Sequence, residues 1–317
     1  MLGGTADVGP ITAPPLVNQV AVVTGGGRGV GRMIARHLSS VGARVAVVAR
    51  TQGEVEGTVD LIEGAGGVAV AFALDVSDHA AVTGMVAETE RRLGPIDLLV
   101  NDAAIVAPFG PSWEVEAEQW WRLLEVNLYG SFLCAHAVLP GMTKRRRGRI
   151  VNLASDVGLT PVPYGSAYVT SKAAVIRLSE ALAMETEEYG VTIFAIDPGW
   201  VSTAMTEYVI HSDEGQRWMP WAQSVEGSDD HVAPEQAAEL VATLASGRAD
   251  RLTGRYLRVS DDLDDLIHRA QHVRDHDLHS MRLRDERDRP NESPSAIFNN
   301  STRFTEQGLP TSAPRLQ

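Results

Sequence analysis

From Gln19 onward, short runs of apolar, β-branched residues alternate with longer segments whose apolar positions recur at helical spacing. The runs predict strands at Val20–Thr24, Arg44–Ala49, Val68–Leu74, Ile96–Asn101, Gly148–Leu153, Val191–Ile196 and Tyr256–Val259. Strands separated by helices need long crossover connections, so the sheet is expected to be parallel and covered on both faces. Right-handed crossovers then give one doubly wound α/β domain over residues 17–260, preceded by a tail, 1–16. The pattern changes after Val259. Leu263, Leu266, Ile267, Ala270, Val273, Leu278 and Met281 predict a helix over 263–287 within a C-terminal extension, 261–317, whose Pro-bearing end reads as poorly ordered. That stripe is too narrow for a core of its own, so the extension is expected to dock on the rim of the active site or on a neighbouring subunit.

Composition narrows the class. The chain has 317 residues, 44% hydrophobic and 22% charged, the profile of a globular protein. Apolar stretches such as Val45–Ala49 and Val68–Leu74 fall far short of the roughly 18 to 20 residues of a membrane span. Residues 1–16 lack the basic cluster of a signal peptide, so a cytoplasmic protein without a membrane partner is expected. A net charge of −13 argues against nucleic acid as a partner, and the run Lys144–Arg149 reads as a solvated loop. The one cysteine, Cys134, lies in an apolar run and reads as packing. His268, His272, His276 and His279 recur among arginines and aspartates and read as a solvated or subunit-facing stripe, so no metal is expected.

The first strand runs into Thr24-Gly25-Gly26-Gly27-Arg28-Gly29-Val30-Gly31, and a helix follows. Glycines let the backbone turn tightly and admit a pyrophosphate closely, while a helix N-terminus offers unpaired N–H groups and partial positive charge. In a Rossmann-like domain this places Gly25, Arg28, Gly29, Val30 and Gly31 against a dinucleotide. A binder of NAD usually carries an acid at the end of the second strand, whereas a binder of NADP places arginine there. That strand ends Val48-Ala49-Arg50-Thr51, with no acid at the corner, so NADP is favoured, with Arg50 and Arg28 on its extra phosphate. An arginine stacked on adenine, compatible with NAD, is the alternative.

Only two of the 28 basic residues are lysines, Lys144 and Lys172. Tyr168 and Lys172 stand four apart at the start of a predicted helix, Ala167 to Tyr189, and share one of its faces. A phenol is a sluggish acid at neutral pH, and a neighbouring ammonium is expected to lower its pKa. The compact ammonium can also reach a ribose hydroxyl, which a guanidinium fork does less easily. Ser155, just past the strand Gly148–Leu153, stands at the sheet edge where ligands bind and can donate to a carbonyl oxygen.

These motifs together resemble the compact branch of the short-chain dehydrogenase/reductase family over residues 17–260. The resemblance implies a hydride transfer between NAD(P) and a ketone or secondary alcohol, with Ser155, Tyr168 and Lys172 as the catalytic set and Asn127 as structural and proton-relay residue. It further implies cofactor contacts at Asp75 and Val76 beside the adenine, at Asn101 and Ala103 after the fourth strand, and at Pro198, Gly199, Val201 and Thr203 on the nicotinamide side. The usual Asn-Asn-Ala-Gly stands here as Asn101-Asp102-Ala103-Ala104. Residues 204–233, with Met205, Tyr208, Trp218, Met219 and Trp221, are expected to cover the substrate, and the family implies a homodimer or homotetramer. A nucleotide-sensing regulator without turnover is the reading from another class; such a protein would usually lack Tyr168 or Lys172.

Overall fold

The computed structural model describes residues 16–225 and 231–282. Seven strands, β1 Val20–Thr24, β2 Arg44–Ala49, β3 Val68–Ala73, β4 Ile96–Asn101, β5 Gly148–Leu153, β6 Val191–Asp197 and β7 Tyr256–Arg258, pair in parallel in the order β3-β2-β1-β4-β5-β6-β7. Between and after them lie α1 Gly29–Ser40, α2 Gln52–Gly64, α3 His79–Leu93, α4 Ala117–Leu124, α5 Gly130–Arg145, α6 Ser166–Thr186, α7 Ala204–His211, α8 Asp213–Trp218, α9 Pro234–Ala245, α10 Leu263–His268 and α11 Ala270–Asp275. Alternation along the strands builds two cores. Ala21, Val23, Val45 and Val47 pack with α1, α2, α9, α10 and α11, and Val20, Val22, Ala46 and Val48 pack with α3, α5 and α6. The order reverses between β1 and β4, and the carboxyl ends of the strands at such a reversal form the crevice that takes a ligand in open α/β sheets.

Two expectations are corrected here. A π-helical turn, Glu125–Tyr129, joins α4 to α5, and the continuous helix Ala117–Arg145 is, by length and composition, long and apolar enough to cross a membrane. Half of that apolar window is buried, and α5 packs on β4, β5 and α3, so the helix is used as a core element of the α/β fold. The single helix expected over 263–287 is two short ones, because the helix stops at Arg269, whose φ −94 and ψ 17 depart from helical geometry. The compact unit continues past residue 260 to Met281. Leu266, Ala270 and Val273 are buried in the core shared with α1 and α9, so residues 263–275 of the extension dock on their own domain. Residues 283–317, including the expected poorly ordered end, and the tail 1–15 lie outside the described residues.

The run Lys144–Arg149 is not merely solvated. Arg145 pairs with Glu90, Arg147 with Asp97 and Arg149 with Asp250, fastening the end of α5 and the start of β5 to their neighbours. Cys134 is fully buried, which pushes its thiol up to about 12. His268, His272 and His276 are exposed, the rings of His272 and His276 standing 4.1 Å apart, whereas His279 is half-buried with its Nδ1 3.1 Å from the Tyr256 carbonyl.

Candidate active site

The glycine turn begins where β1 ends. Gly25 and Gly29 adopt φ of +70 and +54, which a side chain would disfavour, and Gly29 faces Thr203, whose Cγ2 lies 3.4 Å from where a β-carbon would stand. The glycine loop and the Pro198–Thr203 segment therefore oppose each other across a narrow gap. Arg28, at the N-cap of the 12-residue α1, makes no side-chain capping bond, and no acid stands in the first turn. The Gly29 and Val30 amides of that turn are left to an anion such as a dinucleotide diphosphate, while the Gly31 amide donates to Asp102. At Gly31 a β-carbon would fall 2.5 Å from both the Gly25 carbonyl oxygen and Asp102 Oδ2. Gly31→Ala should therefore displace the loop and weaken dinucleotide binding at least about tenfold in a fluorescence titration, despite alanine's better helix propensity.

At the ribose corner Arg50 and Arg28 are both exposed. The expectation of no acid there is corrected: the first turn of α2 carries Glu54, whose Oε1 lies 3.9 Å from Arg28 Nη1 and whose Cβ stands beside Gly27. Asp75 is already held, its Oδ1 accepting from the Ser77 amide at 2.9 Å and hydroxyl at 2.7 Å, and its other oxygen bonded to Arg122. Burial opposes its charge, but Ser77 and Arg122 outweigh that and hold the carboxyl below the usual range. Val76 is buried against Gly130, where a β-carbon would come within 2.6 Å of its Cγ2.

Asn101 is buried at the end of β4 and donates to Asn152 Oδ1 at 2.8 Å and to the Ser131 carbonyl at 3.2 Å. Asn152 in turn donates to Ser179 on α6, so one buried polar ladder spans β4, β5 and α6. The Ala103 amide is taken by Thr24 Oγ1 at 3.2 Å. Asn127 lies in the π-turn, a distortion frequent at functional sites. Its amide oxygen accepts from the Ile105 amide at 2.8 Å, and its Nδ2 donates to the Ile105 carbonyl and to Ser171 Oγ. Ser171 donates to the Tyr168 carbonyl at 2.8 Å. Asn127 thus ties the loop after β4 to the turn of α6 that carries Tyr168, which is the structural part of the role expected of it.

Ser155 caps the turn Asp156–Gly158, which packs directly on α6: a β-carbon at Gly158 would sit 2.8 Å from the Ala173 amide nitrogen. Lys172 is buried on α6, its Nζ donating to the Leu153 carbonyl at 2.7 Å and lying 5.5 Å from the centroid of the Tyr168 ring. Burial lowers its ammonium to about 8, against the pull of Asp102 and Asp197. The expected lowering of the Tyr168 phenol is corrected. Burial, with the carboxyls of Asp197 and Asp102, raises it above its ordinary 10.0, so the hydroxyl is protonated throughout the neutral range.

Sequence reading missed the contacts of four residues behind the site. Asp156, next to Ser155, accepts from the Tyr256 hydroxyl at 2.8 Å and from Arg258 Nε at 2.7 Å, so β7 fixes the serine turn from one hundred residues away in sequence. Asp197 holds the Gly199 amide at 3.1 Å and is raised to about 6 by burial and by Asp156. No motif spacing signals any of these contacts.

On the far wall, the Val201 carbonyl accepts from Thr206, and Thr203 closes a capping box with Thr206 at the start of α7. The aromatic residues expected in the cover pack it down: Trp218 lies 4.9 Å from Tyr164 and Trp221 5.8 Å from Trp200, and Met219 is buried beside Phe109. Glu214 on α8 accepts from the Phe109 amide and from the Tyr208 hydroxyl, joining this cover to the loop after β4. A cleft of about 430 Å³ opens there between Pro108, Gln119, Arg122 and Tyr208.

A parallel sheet with a dinucleotide cradle at its reversal and a serine, tyrosine and lysine on one side of it defines an oxidoreductase of the nicotinamide-dependent class. The short chain dehydrogenase family model matches residues 19–214, and the chain belongs to this family. It is 35% identical over 240 residues to 2-(S)-hydroxypropyl-CoM dehydrogenase 3 of Xanthobacter autotrophicus, covering 75% of this chain and 94% of that one. It is 34% identical over 245 residues to the 3-oxoacyl-(acyl-carrier-protein) reductase of Staphylococcus aureus, covering 76% and 96%. A solved structure assigned as an NAD(P)-dependent gluconate 5-dehydrogenase of Beutenbergia cavernae, with NADP bound at low occupancy, aligns with a TM-score of 0.70 and 33% identity over 77% of this chain and 96% of that one. The protein is an NAD(P)-dependent oxidoreductase that interconverts CH–OH and C=O groups of small molecules.

Proposed function

We propose that this enzyme prefers NADP and acts on a ketone or secondary alcohol. The preference rests on the exposed Arg50 and Arg28 at the end of β2 and the glycine loop, two guanidinium groups at the corner where a 2′-phosphate is neutralised. NADP bound to the gluconate dehydrogenase relative is in keeping with it. When bound, the cofactor carries the hydride.

The side chains supply the rest. Ser155 donates its hydroxyl to the carbonyl oxygen, and Tyr168 holds at its phenolic oxygen the proton delivered there on reduction and taken back on oxidation. Lys172 offers its ammonium to the ribose and to the charge that forms on the phenol. Asn127 and Ser171 keep Tyr168 in place. Trp218, Met219 and Trp221 make the cover apolar, which suits a bulky or apolar substrate. The stacked pair Tyr129, at the end of the π-turn, and Phe132, on α5, is exposed and gives the proposed homo-oligomer an apolar contact surface, which light scattering tests.

Glu54 favours a second reading, an NAD-dependent alcohol dehydrogenase, because its carboxylate partly neutralises Arg28 and can accept from a free ribose hydroxyl. One pair of variants separates them. Arg50→Ala should shift the ratio of kcat/KM for NADP over NAD down by about tenfold or more, since a charge-assisted contact contributes about 1.5 to 3 kcal/mol. Glu54→Gln should move it the other way. Equal losses for both cofactors in Arg50→Ala would assign Arg50 to the adenine and favour NAD.

A further inference from the structure

The side chain that departs from the family pattern sits against the cofactor cradle. Asp102 follows β4 directly, its own amide held at 3.1 Å by Thr24 Oγ1. Its Oδ2 is the atom that β-carbons on Gly25 and Gly31 would meet, at 2.7 and 2.5 Å, so the carboxyl lies in the space those two glycines leave. The Gly31 amide donates to it. That amide belongs to the first turn of α1, the turn whose N–H groups face a diphosphate. An ionised carboxyl here competes for the helix N-terminus and repels the diphosphate, whereas a carboxylic acid does neither.

We propose that Asp102 makes dinucleotide binding proton-coupled: its carboxyl takes up a proton as the diphosphate settles on the glycine loop, so cofactor affinity falls as the solution becomes more alkaline. The coupling does not depend on the choice between NADP and NAD, because both carry the diphosphate.

The free protein is poised for this. Burial raises the carboxyl to about 7, against the pull of Lys172 and of the Gly31 amide. A bound anion raises it further, so affinity is fully present below the free value, declines between the free and bound values, and levels off above the bound one. One unit of difference corresponds to about tenfold in affinity. The groups facing Asp102 are Lys172 and Tyr168 from α6 and the Thr24 hydroxyl from β1, while the glycine loop presents only backbone. Asp197 on β6, raised to about 6, acts on Lys172 and Tyr168. Lys172, lowered to about 8, adds its own dependence at higher pH, so a variant is needed to separate the two.

The test is the dissociation constant of NADPH and of NADH, by fluorescence between pH 6 and 9, for the wild type, Asp102→Asn and Asp102→Ser. Calorimetry in buffers of different ionisation enthalpy counts the protons taken up. The wild type should bind about three- to tenfold more weakly at pH 8 than at pH 6, with uptake of up to about one proton near neutrality. Asp102→Asn, close in shape, should lose the slope and the uptake that Asp102 supplies and keep only the decline that Lys172 causes, which moves to lower pH once the pull of Asp102 is gone. Should the asparagine variant fail to fold, the serine variant gives the same comparison. Slope and uptake unchanged in a folded variant would overturn the proposal, as would a wild-type affinity that is flat with pH and takes up no proton.

Discussion

Tyr168→Phe should bind the reduced cofactor within about twofold of wild type and turn over at least a hundredfold more slowly, the scale of a lost general acid. Only the hydroxyl is removed: the ring remains beside Lys172, and Ser171 still donates to the carbonyl of residue 168. Steady-state rates alongside a fluorescence titration check both halves. Turnover near the wild-type rate would remove Tyr168 from the chemistry, and a parallel loss of binding would make it a cofactor ligand instead. Because burial, Asp197 and Asp102 keep the phenol protonated, its own titration should not appear in the reduction rate between pH 6 and 8. Dependence in that range is expected instead from Asp102, Asp197 and Lys172.

The strands could be read from sequence to within a residue because parallel strands buried on both faces are continuous Val, Ile and Ala runs, as in Val45–Val48. The Tyr168–Lys172 pair was legible for a similar reason, since both residues sit on one helix at fixed spacing. Features made by distant segments were not. Glu54 reaches the ribose corner only because α2 folds its first turn back onto Gly27. Asp156 depends on Arg258 and Tyr256, from the far edge of the sheet. Asp102 stood out in the motif, but its meaning lies in its contact with Gly25 and Gly31. The sign of the Tyr168 shift was misjudged because a neighbouring lysine is visible along a helix, while the burial and the two carboxyls that outweigh it come from the tertiary fold.

Truncation after Asp262 should destabilise the whole domain instead of changing only its assembly. The deletion removes Leu266, Ala270 and Val273, at most 5% exposed, from the core they share with α9, Leu252 and Leu257. It also strips the edge of β7, where the Tyr256 amide donates to the His279 carbonyl at 2.8 Å, and takes away Met281, whose carbonyl accepts from Arg177 at 2.6 Å. Burial of an aliphatic side chain is worth about 1.5 to 3 kcal/mol, so these losses amount to roughly 5 kcal/mol. For a domain of this size that lowers Tm by about 10 to 20 °C. Activity should fall with it, because β7 carries the Arg258 and Tyr256 that hold Asp156 behind Ser155. Scanning calorimetry and kinetics on the truncated chain decide the matter, with Val273→Ala as the milder probe, expected to cost about 1 to 3 kcal/mol. An unchanged Tm with an altered oligomer would instead restore the extension to a subunit contact.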